Sequence, residues 1–302
     1  MNDHVNWHAL AQQLAAVTGK PFSVERTTAI GGGCINETYL IEGNGQRYFV
    51  KLNHAGSLPM FEAEASGLQE IRSSHTLRVP TPVCWGKNAD KAWLVLEYLE
   101  MGSASPGNAA EALGRGLAAM HRNTAEKFGW VRDNTIGATP QINKLSSDWV
   151  QFWRKYRLGY QLQLAHANGY TGALQTKGEQ LMARLDGFFS ESPPLASLLH
   201  GDLWSGTYAF MAGVDGNVAP VIFDPAVYYG DRETDLAMTE LFGGFSADFY
   251  AAYTEAWPLD AGYATRKTLY NLYHILNHLN LFGGGYLHQA EGMMDKLLAE
   301  IR

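Results

Sequence analysis

Two apolar runs in the second half of the chain each end in an aspartate, and no other feature restricts the fold as strongly. They are SLL, leading to His200-Gly201-Asp202, and PVIF, leading to Asp224, 22 positions further on. The sequence around them is helical in pattern from about residue 101. AAEALGRGLAAMHRN, SSDWVQFWRKYRLGYQLQLA, GEQLMARLDGFF and a long stretch over residues 266–281 place apolar residues three and four apart. The first hundred residues differ. After an amphipathic N-terminal segment, strand-like pieces dominate residues 22–99, with a turn at Asn44-Gly45 and one helical interruption, FEAEASGLQEIRSS. A chain of 302 residues that is 46% hydrophobic can bury a core in each half. The expected architecture is α+β and bilobal. A small β-rich lobe spans residues 1–99, a larger α-rich lobe spans residues 100–302, and a hinge lies near residues 97–100.

The glycine run Gly31-Gly32-Gly33, followed by Cys34, falls between two strand-like segments, where bare backbone can approach phosphates closely. A hairpin turn is the plainer alternative. Two other phosphate loops are excluded. The one Gly-Lys near the start, Gly19-Lys20, is followed by Pro21, and the glycine run does not open a helix. Strand, glycine loop, strand is the arrangement that kinases place over nucleotide phosphates. In RYFVKLN, Lys51 is a charge inside an apolar strand. Two carboxylates follow on the next helix, Glu62 and Glu64, but residues two apart diverge by about 200° around a helix. Glu64 stands three after Phe61 and four before Leu68, on the apolar face, so it is the expected partner of Lys51. Phosphoryl transfer further requires one acidic group to accept the substrate proton and another to hold Mg²⁺. Asp202 and Asp224, read as the ends of adjacent hairpin strands, meet both needs; turn-forming aspartates are the alternative. A nucleophile elbow at Ser205 is excluded, because Leu203 stands where that motif needs glycine.

The net charge of −7 and pI near 5.8 argue against nucleic acid or an anionic membrane as partner. Two cysteines, Cys34 and Cys84, are too few for a disulfide framework and suit a reducing, cytoplasmic location. No apolar stretch approaches the ~18–20 residues that cross a bilayer, and the N-terminus lacks a cationic leader.

HGDLWSG, FDPAVYYGDRETDLAM, LFGGF and LYNLYHILNHLNLFGGGYL resemble the fructosamine/ketosamine 3-kinase family, relatives of aminoglycoside and choline kinases. GGGCIN, FEAEASGL and DWVQFWRKYRL extend the resemblance over about residues 20–300. It implies a protein-kinase-like fold that uses ATP and Mg²⁺ to phosphorylate the sugar 3-hydroxyl of a ketosamine (fructosamine, ribulosamine or erythrulosamine). The ketosamine is a small molecule or a glycated protein. The 3-phosphate then decomposes and frees the amine. By the same resemblance Asp202 is the catalytic base and Asp224 the metal aspartate. Lys51 and Glu64 form the ion pair at the phosphates, which Gly31, Gly32, Gly33 and Cys34 cover. Glu97, Tyr98 and Leu99 are the hinge at adenine, and His200 and Asp235 brace the catalytic loop. One position departs. Thr207 stands where the family has an asparagine that reaches the metal, which implies a weaker ligand and turnover lower by ~10–100-fold. An amino-alcohol or aminoglycoside acceptor is the second reading, and a catalytically weakened nucleotide-binding relative is the third.

Trp204, Tyr228 and Arg232 flank the catalytic segments and are candidates for sugar contact, with interior packing as the alternative. His278 and His274, four apart on a helix, suit a zinc pair, a polar stripe facing substrate, or buried hydrogen bonding. Cys34 is a candidate redox switch that could link two copies by a disulfide, the chain otherwise being a monomer, or it is a small buried hydrophobe. Cys84 is expected in the core.

Overall fold

The computed structural model describes residues 7–31, 35–102, 108–189, 193–212 and 218–301. Gly32, Gly33 and Cys34 lie outside the described residues.

The N-terminal part is a five-stranded antiparallel sheet of β1 (Arg26–Ala29), β2 (Glu37–Gly43), β3 (Gln46–His54), β4 (Pro82–Lys87) and β5 (Lys91–Glu97), in the order β1-β2-β3-β5-β4. Asn44 and Gly45, with φ of 50° and 71°, close the β2–β3 hairpin, since both central residues of such a turn need positive φ. A helix covers each face: α1 (Trp7–Thr18) and α2 (Leu58–Ser73), the latter started by Pro59. Strand alternation sorts the side chains between them. Val50, Leu52, Trp93 and Val95 pack with Leu10 and Leu14 of α1, while Leu94 and Leu96 face α2 with Phe61, Ala65 and Leu68. Lys51, between Val50 and Leu52, therefore projects to the α2 side.

The remainder is mostly helical: α3 (Ala109–His121), α4 (Trp149–Trp153), α5 (Gly159–Ala167), α6 (Ala173–Ala183), α7 (Glu233–Leu241), α8 (Ala247–Ala256), α9 (Tyr263–Phe282) and α10 (Leu287–Glu300). The helix expected through DWVQFWRKYRLGYQLQLA is interrupted by one wide π turn, Arg154–Leu158, which buries Arg157 completely. Short strands lie among the helices: β6 (Thr124–Ala125), β7 (Asn134–Ile136), β8 (Thr139–Gln141), β9 (Ala196–Leu199), β10 (Tyr208–Ala212), β11 (Val218–Ile222) and β12 (Tyr228–Gly230).

Their pairing corrects one expectation. The apolar runs before Asp202 and Asp224 are not partners. β9 pairs with β12 and β6, whereas β11 pairs with β10. Bonds in the loops join the two units instead, from Ala226 N to His200 O at 2.8 Å and from His200 Nε2 to Phe223 O at 2.9 Å.

One hydrophobic core runs without a break from Phe61 and Leu94 beside the sheet, through Leu117 and Phe152, to Tyr270 and Leu297. A second, smaller cluster lies under α1. Among the described residues no helix is long and apolar enough to cross a membrane.

Candidate active site

Lys51 is 4% exposed and its ammonium is held twice, donating to Glu64 Oε1 at 2.5 Å and to Asp224 Oδ1 at 2.6 Å. Burial alone would lower its pKa, but the two carboxylates reverse this and keep it above its usual value. Glu62 points elsewhere, toward Arg132. Asp224 follows β11 with φ of 58°, and its side chain is half exposed. A lysine fixed by one carboxylate on a helix and one beside the opening is suited to grip a polyphosphate, with the other oxygen of the half-exposed Asp224 carboxylate facing a cation.

The loop after β9 carries Asp202 and is built around Asp235 of α7. Asp235, 1% exposed, accepts from His200 N at 2.7 Å and Gly201 N at 2.8 Å. His121 Nε2, at 3.1 Å, is a third donor, because His121 Nδ1 meets the Tyr253 hydroxyl at 2.8 Å. Burial opposes ionisation of Asp235, but these donors hold its pKa below the usual value. His200 donates from Nε2 to Phe223 O at 2.9 Å and accepts Asp202 N on Nδ1 at 3.3 Å. With both nitrogens spent and burial lowering its pKa, His200 is a neutral prop. Gly201 has φ of 84°, and a Cβ there would lie 2.1 Å from Ala226 O, so no side chain fits. His121 and Tyr253 were not found by sequence reasoning. Their signal, polar groups on otherwise apolar helix faces, is common in any core.

Asp202 has a carboxyl pushed up to about 7, first by burial and then by the charges of Asp224 and Asp235. A carboxylate poised near neutrality is a usable general base. Only the ionised form can accept a proton. With the nucleotide subsaturating, kcat/KM is expected to rise with pH and level off above about 7. A flat profile between pH 5.5 and 8 would refute that assignment.

The structure also sorts the remaining candidates. Trp204 stands 38% exposed on the loop after Asp202, open to an acceptor. Tyr228 does not face a cleft. It is 2% exposed, with the Arg157 guanidinium 4.1 Å from its ring centroid and Phe152 stacked alongside. Arg232 is also internal, donating to Tyr253 Oη, Trp257 O and Pro258 O. Both are corrected to packing residues, because at 2% and 9% exposure neither side chain is open to an acceptor. His278 is half buried among Phe242, Phe282 and Tyr286, its Nδ1 donating to His274 O at 2.8 Å, which leaves Nε2 as an acceptor. His274 is buried, with its pKa pushed down to about 3. At the expected hinge, Glu97 spends its carboxylate on Thr81 N and Arg78 and its amide on Thr81 O. Gly31 is exposed, with open space where a Cβ would be.

Among the described residues no group of three or more His, Cys, Asp or Glu forms a metal cage. Mg²⁺ at a nucleotide needs no such cage, only one or two carboxylates, water and phosphate oxygens. Asp202 and the half-exposed Asp224 fit that donor set. Thr207 does not join it. Its hydroxyl accepts from Trp204 N at 3.0 Å and donates to Asp202 O at 2.9 Å, closing its own loop.

Comparison with known proteins bears on the chain as a whole. A family model for fructosamine kinase matches residues 6–300. A Synechocystis protein named as a probable ketoamine kinase is 46% identical over 303 residues, covering 99% of each chain. The chloroplastic protein-ribulosamine 3-kinase of Arabidopsis thaliana is 42% identical over 287 residues, covering 94% of this chain and 86% of the relative. The crystal structure of a fructosamine-3-kinase candidate from Haemophilus somnus superposes with a TM-score of 0.87 at 28% identity, covering 97% of both chains. A thermostable mutant of aminoglycoside phosphotransferase APH(4)-Ia, at 14% identity and a TM-score of 0.63, shares the protein-kinase-like fold over 96% of this chain and 98% of its own.

Proposed function

The chain belongs to the fructosamine kinase family, and from that premise we propose that it transfers the terminal phosphoryl group of ATP to the sugar 3-hydroxyl of ketosamines. The phosphorylated product then breaks down and releases the amine, so the net effect is deglycation of a small amine or a protein. Membership carries phosphotransferase activity and ATP use. What supports the residue roles is the convergence of Glu64 and Asp224 on the single ammonium of Lys51, beside an Asp202 poised near neutrality. The lobe boundary is placed after Leu99, with the nucleotide between the sheet and the helical part.

In this mechanism Lys51, held straight by Glu64, grips the phosphates. Asp202 accepts the proton of the attacking hydroxyl as the phosphoryl group leaves the nucleotide in line. Asp224, with support from Asp202, would hold Mg²⁺, which when bound neutralises charge on the phosphates. Trp204 offers a flat apolar face to sugar C–H groups, and His278 an acceptor for a sugar hydroxyl. A reducing compartment belongs to the same proposal: Cys84 is buried with its thiol pushed up to about 12, so it is inert.

Incubation with Mg·ATP and a panel of fructosyl-, ribulosyl- and erythrulosyl-lysines, followed by mass, tests the assignment. Gain of one phosphoryl group on a ketosamine is expected. Transfer only to aminoglycosides or amino alcohols would overturn the acceptor.

Thr207 favours a second reading, a weakened enzyme that binds nucleotide better than it turns it over. The inward hydroxyl leaves the metal one oxygen ligand short. Thr207→Asn is expected to raise the ATP-dependent rate by about tenfold, measured at limiting Mg²⁺. An unchanged or lower rate would refute the shortfall.

A further inference from the structure

The helix that carries Glu64 is gripped at several points away from Lys51. Tyr229 Oη donates to Glu70 Oε1 at 2.7 Å. Arg132 donates to Ser66 Oγ at 3.2 Å and reaches the Glu62 carboxylate at 3.5 Å. Between these contacts Gly67 lies so close to the neighbouring chain that a Cβ would sit 3.1 Å from Val227 Cγ2 and 3.7 Å from Pro225 Cγ. Glycine is a poor residue inside a helix, and this close approach is the reason for it here.

Pro225, Val227 and Tyr229 belong to the five residues that directly follow Asp224. That segment is itself fixed on several sides. Ala226 N bonds His200 O, Ala226 O accepts from Gln141 Nε2 at 3.1 Å, and Val227 O accepts from Asn134 Nδ2 at 2.8 Å. Tyr229 exchanges both backbone bonds with Gly129, at 2.8 and 2.9 Å. Helix α2 is thus docked on the chain leaving Asp224, and the positions of Glu64 and Asp224 are not independent. Lys51 is shared between them. Were α2 to drift, Lys51 would lose Glu64, and its charge, now shared between two carboxylates, would fall wholly on Asp224 in competition with a cation.

We propose that the Glu70–Tyr229 hydrogen bond, with Arg132 beside it, is a positioning contact that sets the affinity for the Mg²⁺–nucleotide complex. It keeps Glu64 in its share of Lys51 and so keeps Asp224 available to the metal. The proposal rests on the kinase reading of the site. Neither Tyr229 nor Glu70 touches reacting atoms.

Tyr229→Phe removes only the hydroxyl. Calorimetric titration with ADP is expected to show Kd in the presence of Mg²⁺ rising about tenfold, in the range for an outer partner of a metal ligand. Kd for ADP without Mg²⁺ rises by a smaller factor, through the weakened grip of Lys51 on the phosphates, KM for the acceptor is unchanged, and the melting temperature stays within a few degrees. Glu70→Ala is expected to reproduce the loss, Glu70→Gln to retain affinity because it still accepts from the Tyr229 hydroxyl, and the double variant to be no worse than either single one. Equal MgADP affinity in wild type and Tyr229→Phe overturns the proposal alone. Equal loss with and without Mg²⁺ also overturns it, by showing general loosening. A wild type that binds no MgADP would overturn the kinase reading, and this proposal with it.

Discussion

Asp202→Asn is expected to lower phosphate transfer by about 10²–10⁴-fold while leaving MgADP binding within a few-fold of wild type. The range is that of a general base removed from a hydroxyl attack. The amide has the shape of the carboxylate, so the loop held by Asp235 should stay in place. A second readout separates this from damage. The raised pKa means that the folded protein binds the Asp202 proton more tightly than the unfolded chain does. Below about pH 4 the carboxyl is protonated in both states and contributes no penalty. As pH rises from 4 toward 7 the unfolded chain ionises while the folded state keeps its proton, so the cost grows with pH; above about 7 the folded carboxyl ionises too and the cost is complete. The neutral variant should therefore melt higher than wild type at pH 8 and equal to it at pH 4. Full turnover in Asp202→Asn, or a stability gain at low pH instead, would refute the assignment.

Asp235→Ala is expected to destabilise the fold by about 3–5 kcal/mol, as removal of one partner from a buried, charge-assisted network does. Three donors lose their acceptor at once: the amides of His200 and Gly201 and the ring of His121. Turnover should fall with stability, because Asp202 sits one residue beyond Gly201. Urea unfolding gives the first quantity and kcat below the melting range gives the second. A loss under 1 kcal/mol would mean that water or a neighbour replaces the carboxylate.

How far the site was legible in the sequence depends on how local each signal is. The contact of Lys51 with Glu64 rather than Glu62 can be read because strand alternation and helical spacing operate over a few residues. Asp202 and Asp224 stand out because an acid after an apolar run is conspicuous. The pairing of β9 with β12 rather than β11 could not be read this way, since each run is equally apolar and pairing depends on what fills the space between. His121 reaches both Asp235 and Tyr253 across more than a hundred residues, and nothing near it in sequence says so. Tyr228 and Arg232 mislead for a related reason. Lying next to catalytic segments in sequence resembles lying next to them in space, yet the π turn delivers Arg157 to fill that place from the other side.

The unbroken core from Phe61 to Leu297 has a thermodynamic consequence. Residues on both sides of the hinge share the same buried side chains, so neither half retains a complete interior when the other melts. Heat and denaturant should meet a single cooperative transition rather than two, and the connection at residues 97–100 is not a seam along which the molecule comes apart.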